Sequence, residues 1–149
     1  MTPGIAGLLQ VAVPFIWLGA VLAISFLEAP LKFRAPGITV PLGLGIGRLV
    51  FRALNISEIA FAVALTAAVL TDGSRVPTTA IVGVLIALWA VLVMQVGALR
   101  PRLDQRTRRI MMGETVPRSH HHLAYIALEG LKVPLLVVLG VLLVARLTT

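Results

Sequence analysis

Four long apolar stretches are the feature of this sequence that most limits what the chain can form. They cover residues 5–27, 49–70, 80–99 and 123–147, and the second can begin as early as Pro41. Because an α-helix rises about 1.5 Å per residue, about 20 apolar residues cross the hydrocarbon core of a bilayer. With 58% hydrophobic and 13% charged residues, the 149-residue chain carries more apolar surface than a water-soluble domain of this size buries. We therefore expect a single transmembrane domain over residues 1–149, an all-α integral membrane bundle of four helices.

The basic residues predict how this bundle is oriented. Residues 28–52 and 100–122 together contain ten Lys and Arg residues, whereas the opposite side of the predicted membrane has Arg75 and Arg146. The positive-inside rule places both basic loops in the cytoplasm and both termini on the non-cytoplasmic side. The first stretch has no basic residue before it and is longer than the apolar core of a signal peptide, so we expect a retained helix.

Composition also narrows the expected partners. The net charge is +7, but the basic residues lie in short runs beside the apolar stretches, which favours the bilayer over nucleic acid. Anionic lipid headgroups are expected at the basic loops, and residues 101–117 predict an amphipathic segment or short helix lying there. The sequence contains no cysteine, which excludes disulfides, thiolate metal sites and iron–sulfur clusters.

Turn-forming and small residues indicate how the helices pack. Asp72, Gly73 and Pro77 predict a tight turn, so the second and third helices should be antiparallel neighbours. Glycines inside the apolar stretches allow the backbone of a neighbouring helix, or of a second copy in a homo-oligomer, to approach closely. The glycines with this predicted role are Gly19, Gly43, Gly45, Gly47, Gly83 and Gly97.

Polar residues inside the apolar stretches are the candidates for function, because each ionisable group there costs about 2.5–3.5 kcal/mol on insertion scales. They lie in the cytoplasmic third of the predicted helices, while the outer two thirds are almost uniformly Leu, Val, Ile and Ala. Helical spacing aligns the polar residues of the second helix with one another, and likewise those of the fourth. The predicted ligand-binding residues are Glu28, Arg52, Asn55, Glu58, Gln95, His121, Tyr125, Glu129 and Lys132.

Two interpretations of these residues remain open at this point. Glu129 and Lys132 can neutralise each other, Lys132 can extend its charge to the headgroups, and Glu58 can pair with Arg52 or Arg48, in which case the pairs only lock helices together. Alternatively, the polar faces meet and form a pocket, open to the cytoplasm, that binds an ion, a proton or an anionic lipid headgroup. On the second interpretation the chain is a noncatalytic membrane protein.

Other function classes have weaker support. An enzyme or redox subunit acting on a lipid or quinone-like substrate would use His121, Tyr125 and Glu129 for proton transfer. An assembly or scaffold subunit would need no ligand. Consecutive histidines at 120–122 point about 100° apart on a helix, so at most two reach one ion, and no metal site, cofactor or catalytic residue is predicted.

Residues 26–37 and 43–51 resemble a group of small bacterial inner-membrane proteins of unknown function. An Ala-Pro-x-x-Phe pattern, here Ala29 to Phe33, also resembles the first loop of a wider superfamily of four-helix membrane proteins, and residues 121–132 are similar more weakly. The resemblance implies a four-helix fold in the bacterial cytoplasmic membrane and no specific activity.

Overall fold

The computed structural model describes residues 4–72, 76–117 and 120–148. In this part of the chain the structure is all-helical, with four helices that are each long and apolar enough to span a membrane. They are α1 (Ile5–Arg34), α2 (Val40–Thr71), α3 (Thr79–Met111) and α4 (His121–Thr148). The predicted all-α chain with four long apolar helices is therefore confirmed. The helices extend further than the predicted spans at the end of the bundle that carries the basic residues of 28–52 and 100–122, which we call the basic end. There, residues 100–111 continue α3 directly.

Local residue chemistry explains where the helices begin and end. The hydroxyl of Thr39 accepts a hydrogen bond from the Leu42 N–H at the start of α2, and Thr78 caps α3 in the same way through Ile81. Gly37 follows α1 with φ +80°, a conformation that favours glycine. Residues 73–75 of the predicted tight turn lie outside the described residues.

The helices form a ring in chain order. α1 packs against α2 and α4, and α3 packs against the same two helices, so α2 and α4 face each other across the diagonal. Gln10 near the start of α1 contacts both Ala68 near the end of α2 and Arg146 near the end of α4, which makes α1 antiparallel to both. A fully buried apolar core includes Trp17 and Leu65, with Leu88 and Leu139 completing it.

Large apolar side chains also cover the outside of the bundle. Leu8, Ile86 and Val141 are 58%, 63% and 59% exposed, respectively. A helix that is apolar on every face is typical of a membrane span, because a water-soluble bundle turns its apolar faces inward. The surface composition is therefore consistent with helices that contact lipid.

Two helices widen near the basic end. α1 has a π-helical turn at Leu22–Glu28, and α3 has one at Met94–Leu99. Each turn ends two residues before a proline, Pro30 in α1 and Pro101 in α3. A proline ring clashes with the carbonyl four residues earlier, and the wider turn relieves that clash without ending the helix.

Within the described chain, Gly43 and Gly47 have a different role from the predicted approach of a neighbouring helix backbone. A Cβ atom on Gly43 would lie 2.4 Å from the Phe33 ring, and one on Gly47 would lie 2.9 Å from Lys32 Nζ. These glycines therefore make room for side chains and not for a neighbouring helix backbone. A Cβ atom at Gly19, Gly83 or Gly97 would meet no atom within 4 Å, so within the described chain these three do not mark close approaches.

Candidate functional site

A buried ion triad joins α2 to α4 across the diagonal of the bundle. Lys132 Nζ donates hydrogen bonds to Glu58 Oε1 and, at 3.0 Å, to Glu129 Oε1. All three side chains are at most 1% exposed. Charged groups this deeply buried are stable only when they are paired and hydrogen-bonded, so the triad strongly constrains how the helices pack.

The two remaining helices each add a neutral donor to this triad. Trp17 of α1 donates from its indole N–H to Glu58 Oε1 at 2.9 Å, and Gln95 of α3 donates from Nε2 to Glu129 Oε1 at 3.0 Å. We call Trp17, Glu58, Gln95, Glu129 and Lys132 the core cluster. Every helix of the bundle therefore contributes a hydrogen-bonding side chain to one buried site.

The core cluster has three buried atoms without a hydrogen-bond partner in the described structure. They are Glu58 Oε2, Glu129 Oε2 and the side-chain carbonyl oxygen of Gln95. All three are acceptors, whereas the Oε1 atom of each carboxylate accepts two hydrogen bonds. The cluster is therefore short of hydrogen-bond donors.

A second polar pair lies next to the core cluster. The Tyr125 hydroxyl donates to Asn55 Oδ1 at 2.8 Å, and both side chains are buried. The Phe51 ring packs edge-on against Tyr125 with 5.5 Å between centroids. This layer separates part of the core cluster from the basic end of the bundle.

A cavity of about 660 Å³ opens at the basic end, between residues of all four helices. Its floor includes Tyr125 and Glu129, so it reaches the core cluster. Most of its wall is apolar, with side chains that include Phe26, Phe33, Leu44, Phe51, Ile110 and Ile126. Among the described residues, four cationic side chains also line it: Lys32, Arg48, Arg100 and Arg106.

The cations around the cavity are held in place by neighbouring groups. Arg48 and Arg100 each lie 3.5 Å from the same carboxylate oxygen of Asp104. Lys32 Nζ lies 3.1 Å from Glu28 Oε2 and 5.6 Å from the centre of the Phe51 ring. Two guanidinium groups that share one carboxylate keep N–H donors for a further acceptor.

The structure brings together four of the predicted site residues and separates others from them. Gln95, Glu58, Glu129 and Lys132 belong to the core cluster. Arg52 does not join them, because residues six apart on a helix differ in direction by about 120° and its side chain is exposed.

The remaining predicted residues lie nearer the basic end. Asn55 and Tyr125 are adjacent to the core cluster, as described above. Glu28 lies beside the cavity, where it pairs with Lys32. His121 is the first residue of α4, is exposed, and does not line the large cavity.

A polar cluster at the opposite end of the bundle was not predicted. Gln10 is fully buried and donates to Ala68 O at 3.0 Å and to Asp72 Oδ2 at 3.2 Å. Arg146 Nη1 donates to Gln10 Oε1 at 3.2 Å, and Arg146 Nη2 lies 3.6 Å from Asp72 Oδ2. The outer two thirds of the helices, which are almost uniformly Leu, Val, Ile and Ala, therefore also contain buried polar contacts. The sequence signal was an isolated Gln and an isolated Arg inside apolar runs.

Trp17 was also not predicted as part of the site. Its indole lies in the middle of an apolar stretch, where bulk packing explains it without any polar partner. The contact with Glu58 depends on a helix 41 residues away in sequence, so helical periodicity alone contains no signal for it.

Comparison with known proteins does not assign the chain to a family. No protein-family model matches the chain, and neither a curated protein nor a solved structure matches it. Within the described residues, no group of three or more His, Cys, Asp or Glu side chains could hold a metal ion. The function is therefore inferred from the geometry and charge of the core cluster and the cavity.

Proposed function

We propose that this chain is a noncatalytic integral membrane protein that binds the anionic headgroup of a lipid in the cavity at its basic end. The observation that carries the proposal is one cavity of about 660 Å³ that combines apolar walls with four cationic side chains. An amphipathic anion fits both parts of this lining.

Each part of the lining favours a different part of such a ligand. Burying apolar surface is worth about 25 cal/mol per Å², which favours acyl carbon against the aromatic and aliphatic walls. Arg48 and Arg100 present guanidinium donors suited to phosphate oxygens. A small inorganic anion would use the cations and leave the apolar wall in contact with water.

The proposal includes the setting of the bundle. The concentration of Lys and Arg at one end supports an orientation in which the cavity opens at the cytoplasmic leaflet of a bacterial inner membrane, with both termini on the other side. Anionic lipids at that leaflet would be attracted to the same basic residues.

An enzyme that uses His121, Tyr125 and Glu129 for proton transfer has less support than a lipid-binding protein. It requires all three residues to act on one substrate, and His121 does not line the cavity that holds the other two. This placement favours a binding function over proton transfer to a lipid or quinone-like substrate.

Lipid-dependent stabilisation of the purified protein tests the proposal. In a neutral detergent, phosphatidylglycerol should raise the thermal unfolding midpoint, and phosphatidylcholine with the same acyl chains should not. Arg48→Gln should weaken phosphatidylglycerol binding at least tenfold, because a hydrogen bond to a charged group contributes about 1.5–3 kcal/mol.

Arg52→Gln is the matched control, since Arg52 lies one turn away on the same helix, is exposed, and does not line the cavity. It should bind phosphatidylglycerol as the native chain does. Equal losses in both variants would show that only general surface charge attracts the lipid. Equal stabilisation by inorganic phosphate would contradict the lipid part of the proposal.

A further inference from the structure

We propose that the core cluster holds one exchangeable proton, carried by Glu129, which reaches the cluster through the cavity. The inference goes beyond lipid binding and is independent of it, because it depends on the buried groups of the protein alone.

The charge of the core cluster does not balance without an added proton. Two carboxylates, Glu58 and Glu129, contact one ammonium group, that of Lys132, and all three are buried. With every group ionised the triad has a net charge of −1, in a region where an uncompensated charge is strongly disfavoured. One proton on a carboxylate makes the triad neutral.

The hydrogen-bond pattern places the proton on Glu129. Gln95 Nε2 already donates to Glu129 Oε1, while Glu129 Oε2 and Gln95 Oε1 both lack partners. A proton on Glu129 Oε2 turns this unpartnered acceptor into a donor. Gln95 already contacts the same carboxyl group through Nε2, and its side-chain carbonyl oxygen is an acceptor without a partner. Protonation thus supplies the donor that the cluster lacks. Glu58 Oε2 has no such amide beside it among its observed contacts.

Access to the proton comes from the cavity. Glu129 lines the cavity floor although its side chain is only 1% exposed. Glu58 and Trp17 do not line the cavity, so Glu129 is the carboxyl group of the triad that water in the cavity reaches first. A hydronium ion there can transfer a proton to Oε2 and become water, and the return transfer from Oε2 to water restores the carboxylate and the hydronium ion.

Other charged and titratable groups face Glu129 from the surrounding helices. Within the cluster they are Glu58 of α2 and Lys132 of α4, with the Tyr125 hydroxyl in the next layer. Around the cavity they are Lys32 of α1, Arg48 of α2, Arg100, Asp104 and Arg106 of α3, and His122 of α4. The cavity cations are held by Glu28, by Asp104 or by backbone carbonyls, so Lys132 is the cation in direct contact with Glu129.

Infrared spectroscopy of the delipidated protein tests this proton directly. A protonated carboxyl group has a C=O stretch separate from the carboxylate bands, and the sequence contains only six Asp and Glu residues. An alkyl maltoside detergent has no carbonyl group and leaves this region clear. At neutral pH the native chain should show one acid C=O band that shifts to lower frequency in D₂O, which demonstrates exchange.

Variants distinguish the core cluster from other carboxyl groups. Glu129→Gln removes the carrier of the proton, and Glu58→Gln leaves one carboxylate opposite one ammonium group, so the band should disappear in each. Lys132→Met removes the cation and should about double the band, since two carboxylates then need two protons. Glu114→Gln, which alters an exposed carboxylate paired with Arg109, is the control and should leave the band unchanged.

Absence of the band in the native chain would overturn the proposal without any variant. Its persistence in either Gln variant that folds would also overturn it, because the charge balance requires both carboxylates. A native band that does not shift in D₂O would contradict access through the cavity. Since no lipid is present, these outcomes are separate from failure of the proposed lipid site.

Discussion

Lys132 is a fully buried cation whose position in the sequence permitted two outcomes. It lies close enough to the basic end that its ammonium group can extend toward headgroups. In the structure Nζ instead points into the bundle, where Glu58 and Glu129 both accept from it. Two buried acceptors on different helices replace the water that the ammonium group would find at the interface.

Replacing Lys132 should therefore lower the free energy of unfolding substantially. Lys132→Met leaves two buried carboxylates without a cation, and removing one partner of a buried ion pair costs about 3–5 kcal/mol. We expect a loss of that size in the unfolding free energy, measured by denaturant titration in detergent with circular dichroism.

Lys32→Met is the matched control for this change. Lys32 pairs with Glu28, whose side chain is 32% exposed at the cavity, so losing this pair should cost less than losing the fully buried triad. The triple variant Lys132→Met/Glu58→Gln/Glu129→Gln should recover part of the loss, because the two amides are neutral without taking up protons. A similar cost for Lys132→Met and Lys32→Met would contradict the central role of the triad.

At the scale of the helix, the two π turns shape the site. Leu22–Glu28 in α1 carries Ser25, which lines the cavity, and Met94–Leu99 in α3 carries Gln95 of the core cluster. A π turn contains one more residue than an α turn, so it lets the helix continue with the same faces on either side of the insertion. The widening also keeps Pro30 and Pro101 inside continuous helices.

A deletion pair tests this description of α3. Removing Val96 takes out the extra residue of the π turn, and we expect the variant to retain more than about half of the folded yield, because the flanking segments keep their faces. Removing Ile86 from the regular part of the helix rotates everything beyond it by about 100° and should abolish folding.

Ile86 is 63% exposed, so the loss of its own side chain has little consequence and the comparison isolates helical register. Fluorescence-detected size exclusion and far-ultraviolet circular dichroism measure the two yields. Equal yields from the two deletions would show that the π turn does not absorb a residue.

At the scale of the whole molecule, the described residues form two polar layers that are separated by apolar packing. The core cluster lies toward the basic end, and the cluster of Gln10, Asp72 and Arg146 lies at the opposite end. Buried Leu65, Leu88 and Leu139 pack between them. Each layer connects helices that are distant in sequence. These polar contacts favour one arrangement of helices whose apolar surfaces are otherwise similar.

The proposed orientation is testable because the chain contains no cysteine. Single substitutions Val76→Cys and Thr115→Cys introduce exposed thiols in the connections after α2 and α3. In intact spheroplasts a membrane-impermeant maleimide should label Val76→Cys almost completely and Thr115→Cys only after permeabilisation. The reverse pattern would invert the orientation, and the cavity would then open on the non-cytoplasmic side.

Much of the candidate site follows from helical spacing, but not all of it. Asn55 and Glu58, and likewise Tyr125, Glu129 and Lys132, share helix faces that a period of 3.6 residues predicts. Arg52 shows the limit of this reasoning, since three-residue steps drift around the helix. Trp17 and the cavity wall depend on which helices become neighbours.

The sequence alone determined that the chain forms long apolar helices, because hydrocarbon-length apolar runs satisfy their backbone polar groups only within a helix. The sequence also places most of the Lys and Arg residues at one end of the bundle. The tertiary structure decided that α2 and α4 meet through Lys132, that two proline-containing helices widen instead of ending, and that a cavity forms above Glu129. These outcomes depend on contacts between residues far apart in the chain, and local propensity contains no information about such contacts.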